Sequence, residues 1–236
     1  MRIETDSLET TIIYVRHGEV PGNVNTPETF AYTGCSYTEG LNELGHKQAQ
    51  ECAEKVSKLV QEKKIENVAA IYSSKMIRAV QTATPVANKL RLTIQQRENL
   101  REIDWGCANN QLVALVKNDK DNKTEEARLK DLYPRYNDRF HHLPVFKGAE
   151  KYTAVYARTL KELQELAEKH RGQTILVFGH GRVLKTLMIQ DAISRGVELK
   201  SEDEVHYPKN CTLAQFIYAE GKIQFKSVLE HEGSSS

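Results

Sequence analysis

The 236-residue sequence is 39% hydrophobic and 28% charged, with a formal net charge of only +1. That balance suits one large globular domain and gives no electrostatic footing for nucleic acid or an acidic membrane surface. Cys35, Cys52, Cys107 and Cys211 lie far apart, with no pair at metal-ligand or redox spacing, and read as free thiols of a reducing compartment.

The polar stretch over 1–9 lacks the apolar core of a signal peptide, and no run is long enough to span a bilayer, which points to the cytoplasm. Residues 11–15 then form a short run of β-branched and aromatic side chains, the pattern of a strand buried on both faces. Arg16-His17-Gly18 follows at its end. Residues 20–37 carry glycine, proline, asparagine and threonine without periodicity, so a loop is expected there. Asn42 is the expected N-cap of a helix whose apolar face comprises Ala49, Cys52, Ala53, Val56, Leu59 and Val60. A second strand over 68–72 is expected to end at Ser73-Ser74, either of which could cap a helix running from about Lys75 to Leu90. Leu92-Thr93-Ile94 reads as a third strand, and the strand, helix, strand rhythm implies parallel crossovers.

Residues 107–149 pattern weakly, with helical spacing over 112–116 and 125–132, and are expected to form a helical insertion or lid. The pair His141-His142 has no companion cluster of ligands and is expected to sit on the surface without a metal. A strongly periodic helix over 152–170 ends near Gly172, and residues 174–178 form another buried strand leading into Gly179-His180-Gly181. A helix bearing Val183, Leu184, Leu187 and Met188 follows. Strands over 212–218 and 222–228 flank Ala219-Glu220-Gly221 as a hairpin that adds an antiparallel edge, and the polar tail over 232–236 is expected to fray.

Four segments thus fall just beyond strand ends or nearby: Arg16-His17-Gly18-Glu19 with Asn23, Arg78 near a helix start, Leu100-Arg101-Glu102, and Gly179-His180-Gly181. In open α/β sheets the carboxyl ends of strands are where ligands bind. Guanidinium groups grip phosphate through paired hydrogen bonds, and an unprotonated imidazole can attack phosphorus. In order and context the set resembles the histidine phosphatase superfamily, the branch that also holds the cofactor-dependent phosphoglycerate mutases. The stretch over 72–83 is similar to that family's second-arginine motif in almost every position, Tyr32-Thr33-Gly34 resembles its threonine-glycine turn, and Gly148-Ala149-Glu150 with Arg158 resembles the lead into its penultimate helix.

The resemblance implies a three-layer α/β/α sandwich with a mostly parallel sheet. It implies His17 as nucleophile, Arg16, Arg78 and His180 as stabilisers of the phosphoryl charge, and Glu102 as general acid and base. Asn23, Thr33 and Gly34 are implied on the phosphate. Asp104 is the alternative acid, since it would point the same way as Glu102 from a strand. The constellation requires neither metal nor cofactor, because arginines and histidines already neutralise a small phosphorylated substrate. The oligomeric state is not readable.

The pattern departs from the family at three places. No aspartate follows the threonine-glycine turn in Gly34-Cys35-Ser36-Tyr37, no Glu-Gly follows the acid segment, and Arg182 stands after His180-Gly181 where a small residue is common. The expected reaction is phosphomonoester hydrolysis. A 2,3-bisphosphoglycerate-dependent mutase is the runner-up, disfavoured because residues 107–149 lack extended basic motifs. An interaction module on an inactivated scaffold comes third, since fold alone does not guarantee chemistry.

Overall fold

The computed structural model describes residues 9–24, 26 and 28–229; the tail over 232–236 and nearly all of the polar stretch over 1–9 lie outside the described residues. Six strands form one sheet: β1 (Thr10–Arg16), β2 (Val68–Ser74), β3 (Ile94–Arg97), β4 (Thr174–Gly179), β5 (Leu213–Ala219) and β6 (Lys222–Val228), in the spatial order β3-β2-β4-β1-β5-β6. The first four are mutually parallel, while β5 pairs antiparallel with β1 and β6 antiparallel with β5. The hairpin turn places Glu220 and Gly221 at positive φ, as a tight two-residue turn requires.

The central strands are apolar on both faces because each faces a separate core. Ile12 and Tyr14 of β1, with Ile175 and Val177 of β4, pack against α6 (Tyr152–Lys169) and α7 (Gly181–Ser194). Ile13 and Val15, with Leu176 and Phe178, face α1 (Glu43–Gln61) and α2 (Ile77–Leu90). Side chains alternate across a strand, so a continuous apolar run feeds both layers. The result is an α/β/α sandwich with an antiparallel edge, in agreement with the sequence reading.

Local signals account for most boundaries. Asn42 accepts from the Gly45 N–H at 2.8 Å and caps α1, whose buried face is Ala49, Cys52, Ala53, Val56 and Leu59. Two sequence expectations shift. Ser73 and Ser74 are buried members of β2 rather than helix caps; Ser74 Oγ accepts from Met76 N, and α2 begins only at Ile77. The third strand starts at Ile94, because Leu92 belongs to the helix stop: Arg91 turns left-handed at φ 55° and the Leu92 N–H bonds back to the Ala87 carbonyl at 3.0 Å.

Residues 107–149 are helical as expected, with α3 (Val113–Asn118), α4 (Lys120–Leu132) and α5 (Tyr136–Phe140). His142 stacks on Tyr133 at 4.1 Å between centroids. The loop over 20–37 carries a 3-10 turn, Pro21–Asn23, and touches this region through an isolated bridge between Ala31 and Leu112.

Candidate active site

Strand register builds the site. Arg16 of β1 pairs with Gly179 of β4, so both strands release the chain at one edge and the next residues are His17 and His180. Their rings lie 5.3 Å apart, centroid to centroid, inclined at 63°. The neighbouring parallel strands end at the same edge: α2 follows β2 with Arg78 in its first turn, and the 3-10 turn Glu98–Leu100 follows β3 just before Glu102. Because β5 is antiparallel and Leu213 pairs with Val15, the segment entering β5 arrives there too. The Cys211 N–H donates to the Arg16 carbonyl, Asn210 Nδ2 donates to the His17 carbonyl at 3.0 Å, and Arg16 Nη1 donates to the Pro208 carbonyl at 2.5 Å.

His17 is 2% exposed. Its Nδ1 lies 2.6 Å from the Gly18 carbonyl oxygen, which can only accept, so Nδ1 carries the proton and Nε2 the lone pair when the ring is neutral. Burial, then the cations of Arg78 and Arg16, hold this imidazole well below its usual pKa. The fully buried His180 is lowered in the same way by burial, Arg78 and His17. The Gly18 N–H donates to Thr82 Oγ1 at 3.0 Å. Gly18 and Gly45 let α1 come up against this turn, since a Cβ on Gly45 would stand 2.0 Å from the Glu19 carbonyl oxygen and one on Gly18 2.6 Å from that of Gly45.

Arg78 is fully buried, and burial lowers its pKa to about 10, far enough above neutrality to keep the charge. Its Nη1 donates to the Tyr37 carbonyl at 3.0 Å and its Nη2 to those of Thr33 and Gly34 at 3.1 and 3.2 Å. Arg16 Nη2 donates to Asn23 Oδ1 at 3.4 Å, and Asn23 Nδ2 donates to Thr33 Oγ1 at 3.2 Å. Asn23 and Thr33 line the cavity described below, whereas Gly34 lies behind it; a Cβ there would meet Asn109 Oδ1 at 2.1 Å. Gly34 is therefore fixed by packing and by its carbonyl's bond to Arg78.

Glu102 is 5% exposed; its Oε1 accepts from Ile103 N at 2.9 Å and its Oε2 from Arg182 N at 3.3 Å. A charged clamp holds its backbone. Arg158 donates to both Glu150 carboxylate oxygens at 2.7 and 3.0 Å, and to the carbonyls of Asn99, Arg101 and Glu102. Asp104, by contrast, is occupied by its own turn, accepting from Gly106 N at 2.8 Å and Asn109 Nδ2 at 2.6 Å. The Gly106 bond chiefly lowers its pKa, which favours the ionised carboxylate over the proton donor.

Unpaired polar atoms gather at this edge. Nine buried side-chain N and O atoms lack a hydrogen-bond partner among the described residues, and five of them are Arg16 Nε, Arg78 Nε, both ring nitrogens of His180 and Arg182 Nε. Buried polar groups are ordinarily satisfied, so such a cluster marks a place where an acceptor-rich ligand belongs. A cavity of about 670 Å³ adjoins it, lined by Arg16, Glu102, Trp105, Arg182 and Tyr207 and by residues of α3, α4 and α5, whereas His17, Arg78 and His180 are not among its lining residues. Sequence reasoning noted Arg182 only as a departure and missed Tyr207, whose ring lies 5.1 Å from the Arg16 guanidinium. Nothing local marks Tyr207, because its role depends on where β5 begins.

A family model of the histidine phosphatase superfamily (branch 1) matches residues 12–230. The chain belongs to the histidine phosphatase superfamily. It is 32% identical over 177 residues to phosphoglycerate mutase-like protein 4 of Arabidopsis thaliana, covering 75% of this chain and 68% of the relative. It is 29% identical over 206 residues to the metal-independent phosphoserine phosphatase of the same plant, covering 86% and 78%. Among solved structures, the phosphoserine phosphatase of Entamoeba histolytica bound to 3-phosphoglyceric acid superposes with a TM-score of 0.71 at 21% identity, over 94% of this chain and 98% of that one, a likeness of fold. Among the described residues no helix is long and apolar enough to cross a membrane, and no three His, Cys, Asp or Glu side chains group as a metal site.

Proposed function

We propose that this member of the superfamily is a phosphatase that hydrolyses a small phosphomonoester through a phosphohistidine on His17. One observation carries the reading: a neutral imidazole whose Nδ1–H is tied to the Gly18 carbonyl, set among the unpaired nitrogens of Arg16, Arg78 and His180. The two guanidinium groups balance the two charges of a phosphomonoester, and His180, neutral by burial, adds an N–H without adding repulsion to His17.

In the first step Nε2 of His17 attacks phosphorus, the N–P bond forms as the ester P–O bond breaks, and the departing oxygen takes a proton from Glu102. In the second, Glu102 accepts a proton from water as the water oxygen attacks phosphorus, and the N–P electron pair returns to Nε2. Splitting the transfer lets one carboxyl serve as acid and then as base. Asp104 suits that place less, since its Oδ1 accepts two hydrogen bonds within the turn over 104–109 and its carboxylate also pairs with the Cys35 thiol. Hydrolysis rather than mutase chemistry is favoured by the likeness to proteins named as phosphoserine phosphatases.

The purified chain is expected to release inorganic phosphate from small phosphomonoesters without added 2,3-bisphosphoglycerate. Replacing His17 with Ala should remove at least about 10³-fold of that rate, and Glu102→Gln should lower kcat/KM, which reports the first transfer, roughly 10²- to 10⁴-fold with alkyl esters but much less with p-nitrophenyl phosphate, whose leaving group needs no proton. Strict dependence on the bisphosphate with no phosphate release would contradict the reading and favour the mutase.

A further inference from the structure

The cavity wall beside Glu102 carries a cation that the phosphoryl transfer leaves unused. Arg182, the second residue of α7, donates its backbone N–H to Glu102 Oε2 at 3.3 Å, while its side chain, 14% exposed, lines the cavity. Nη1 donates to Glu202 Oε2 at 2.6 Å, and the guanidinium carbon lies 5.4 Å from each ring centroid of Trp105, Tyr152 and Tyr207. A carboxylate and three aromatic faces therefore hold the group in one place. Nε is buried with no acceptor, and no hydrogen bond among the described residues uses Nη2.

With Nη1 engaged, the fork left open is the Nε–Nη2 edge, whose two parallel N–H bonds match a carboxylate. The side chain attached to the ester oxygen must lie next to the group that protonates that oxygen. If Glu102 does so, the leaving group lies beside Arg182. The buried Lys185, whose Nζ lies 5.6 Å from the Tyr207 ring centroid, also acts on Glu202, so Arg182, Lys185 and Glu202 together leave one positive charge, which suits a monoanion better than a second phosphate dianion.

We propose that Arg182 determines substrate choice by gripping a carboxylate on the leaving group, which makes the substrate class the phosphate esters of hydroxy acids. This rests on the phosphatase reading for the position of the leaving oxygen. A neutral alcohol of the same size leaves the fork unpaired and binds more weakly.

The test compares D-3-phosphoglycerate with sn-glycerol 1-phosphate, which share the configuration at C2 and differ at one carbon by a carboxylate against a hydroxymethyl group. Two readouts are used: kcat/KM for phosphate release, and Kd on the His17→Ala background from the fluorescence of Trp105, the single tryptophan of the sequence. The native chain is expected to prefer the acid by roughly 10- to 100-fold, and Arg182→Met should bring that ratio close to unity. Arg182→Lys, which keeps the charge but not the fork, should lower it to an intermediate value. An unchanged ratio in either variant, or no preference in the native chain, overturns the proposal; so does an equal loss on both esters, which would make Arg182 a packing residue. If Arg182→Met does not fold, the Lys variant decides. Absence of phosphate release from either ester would count against the phosphatase reading alone, because the ratio of Kd values still decides the role of Arg182.

Discussion

His17 is buried beside the guanidinium groups of Arg78 and Arg16, and these surroundings decide its protonation more than its own chemistry does. Burial and the guanidinium groups hold the imidazoles of His17 and His180 well below 6.5, so on acidification the unfolded chain takes up protons that the folded chain refuses. The stability these residues contribute is complete above 6.5 and is lost as pH falls below it. Each group adds up to about 1.4 kcal/mol per pH unit to the slope. Urea unfolding between pH 5 and 8 should show that slope, and His180→Gln should flatten it; an equal slope in both proteins would contradict the assignment. The residues legible in the sequence are those whose place follows from a strand end: Arg16, His17 and His180 directly, Arg78 one turn into a helix. Thr33 and Gly34 were placed on the phosphate by resemblance, yet Gly34 faces Asn109 and serves through its carbonyl's bond to Arg78. Tyr207 and the partners of Arg182 depend on tertiary approach, for which no local pattern exists.

Among the elements, α1 most directly supports the turn that carries His17. Its N-terminus is pressed against Gly18 and Glu19, with Asn42 serving both as cap and as donor to Glu19 Oε1 at 2.9 Å. Helix propensity alone favours alanine over Gly45 by about 1 kcal/mol. The contact of 2.0 Å that a Cβ would make with the Glu19 carbonyl reverses that sign. Gly45→Ala is therefore expected to destabilise the fold by about 1–3 kcal/mol and to lower kcat with it, while Asn42→Ala costs about 1 kcal/mol. Denaturant unfolding measures both, and a neutral or stabilising Gly45→Ala would refute the close approach. The long amphipathic helices α1 and α6 were legible because their buried faces repeat over many turns. The start of β3 was not, since Leu92 has strand propensity but is drawn into the end of α2 by its bond to the Ala87 carbonyl. Helices α3 to α5 patterned weakly because few of their residues reach the core: Val116, Leu129, Tyr136 and Phe140.

For the molecule as a whole, the spatial order β3-β2-β4-β1-β5-β6 gathers distant segments. Four parallel strands end at one edge and the antiparallel β5 begins there, so residues from Arg16 to Asn210 meet around one position without any long loop reaching across. This explains why the sequence reading could list the motifs in order and infer their meeting, but not the shape of the outer wall. That wall comes from α3 to α5 and from residues 201–207, whose placement follows from packing. The proposed hydrolysis requires His17 to carry the phosphoryl group between two chemical steps. Rapid quenching of the native chain with a radiolabelled phosphomonoester should trap a label that is stable in base, released in acid, and mapped to His17 by peptide mass spectrometry. Turnover with no such label, or a label on another residue that survives in His17→Ala, would contradict it.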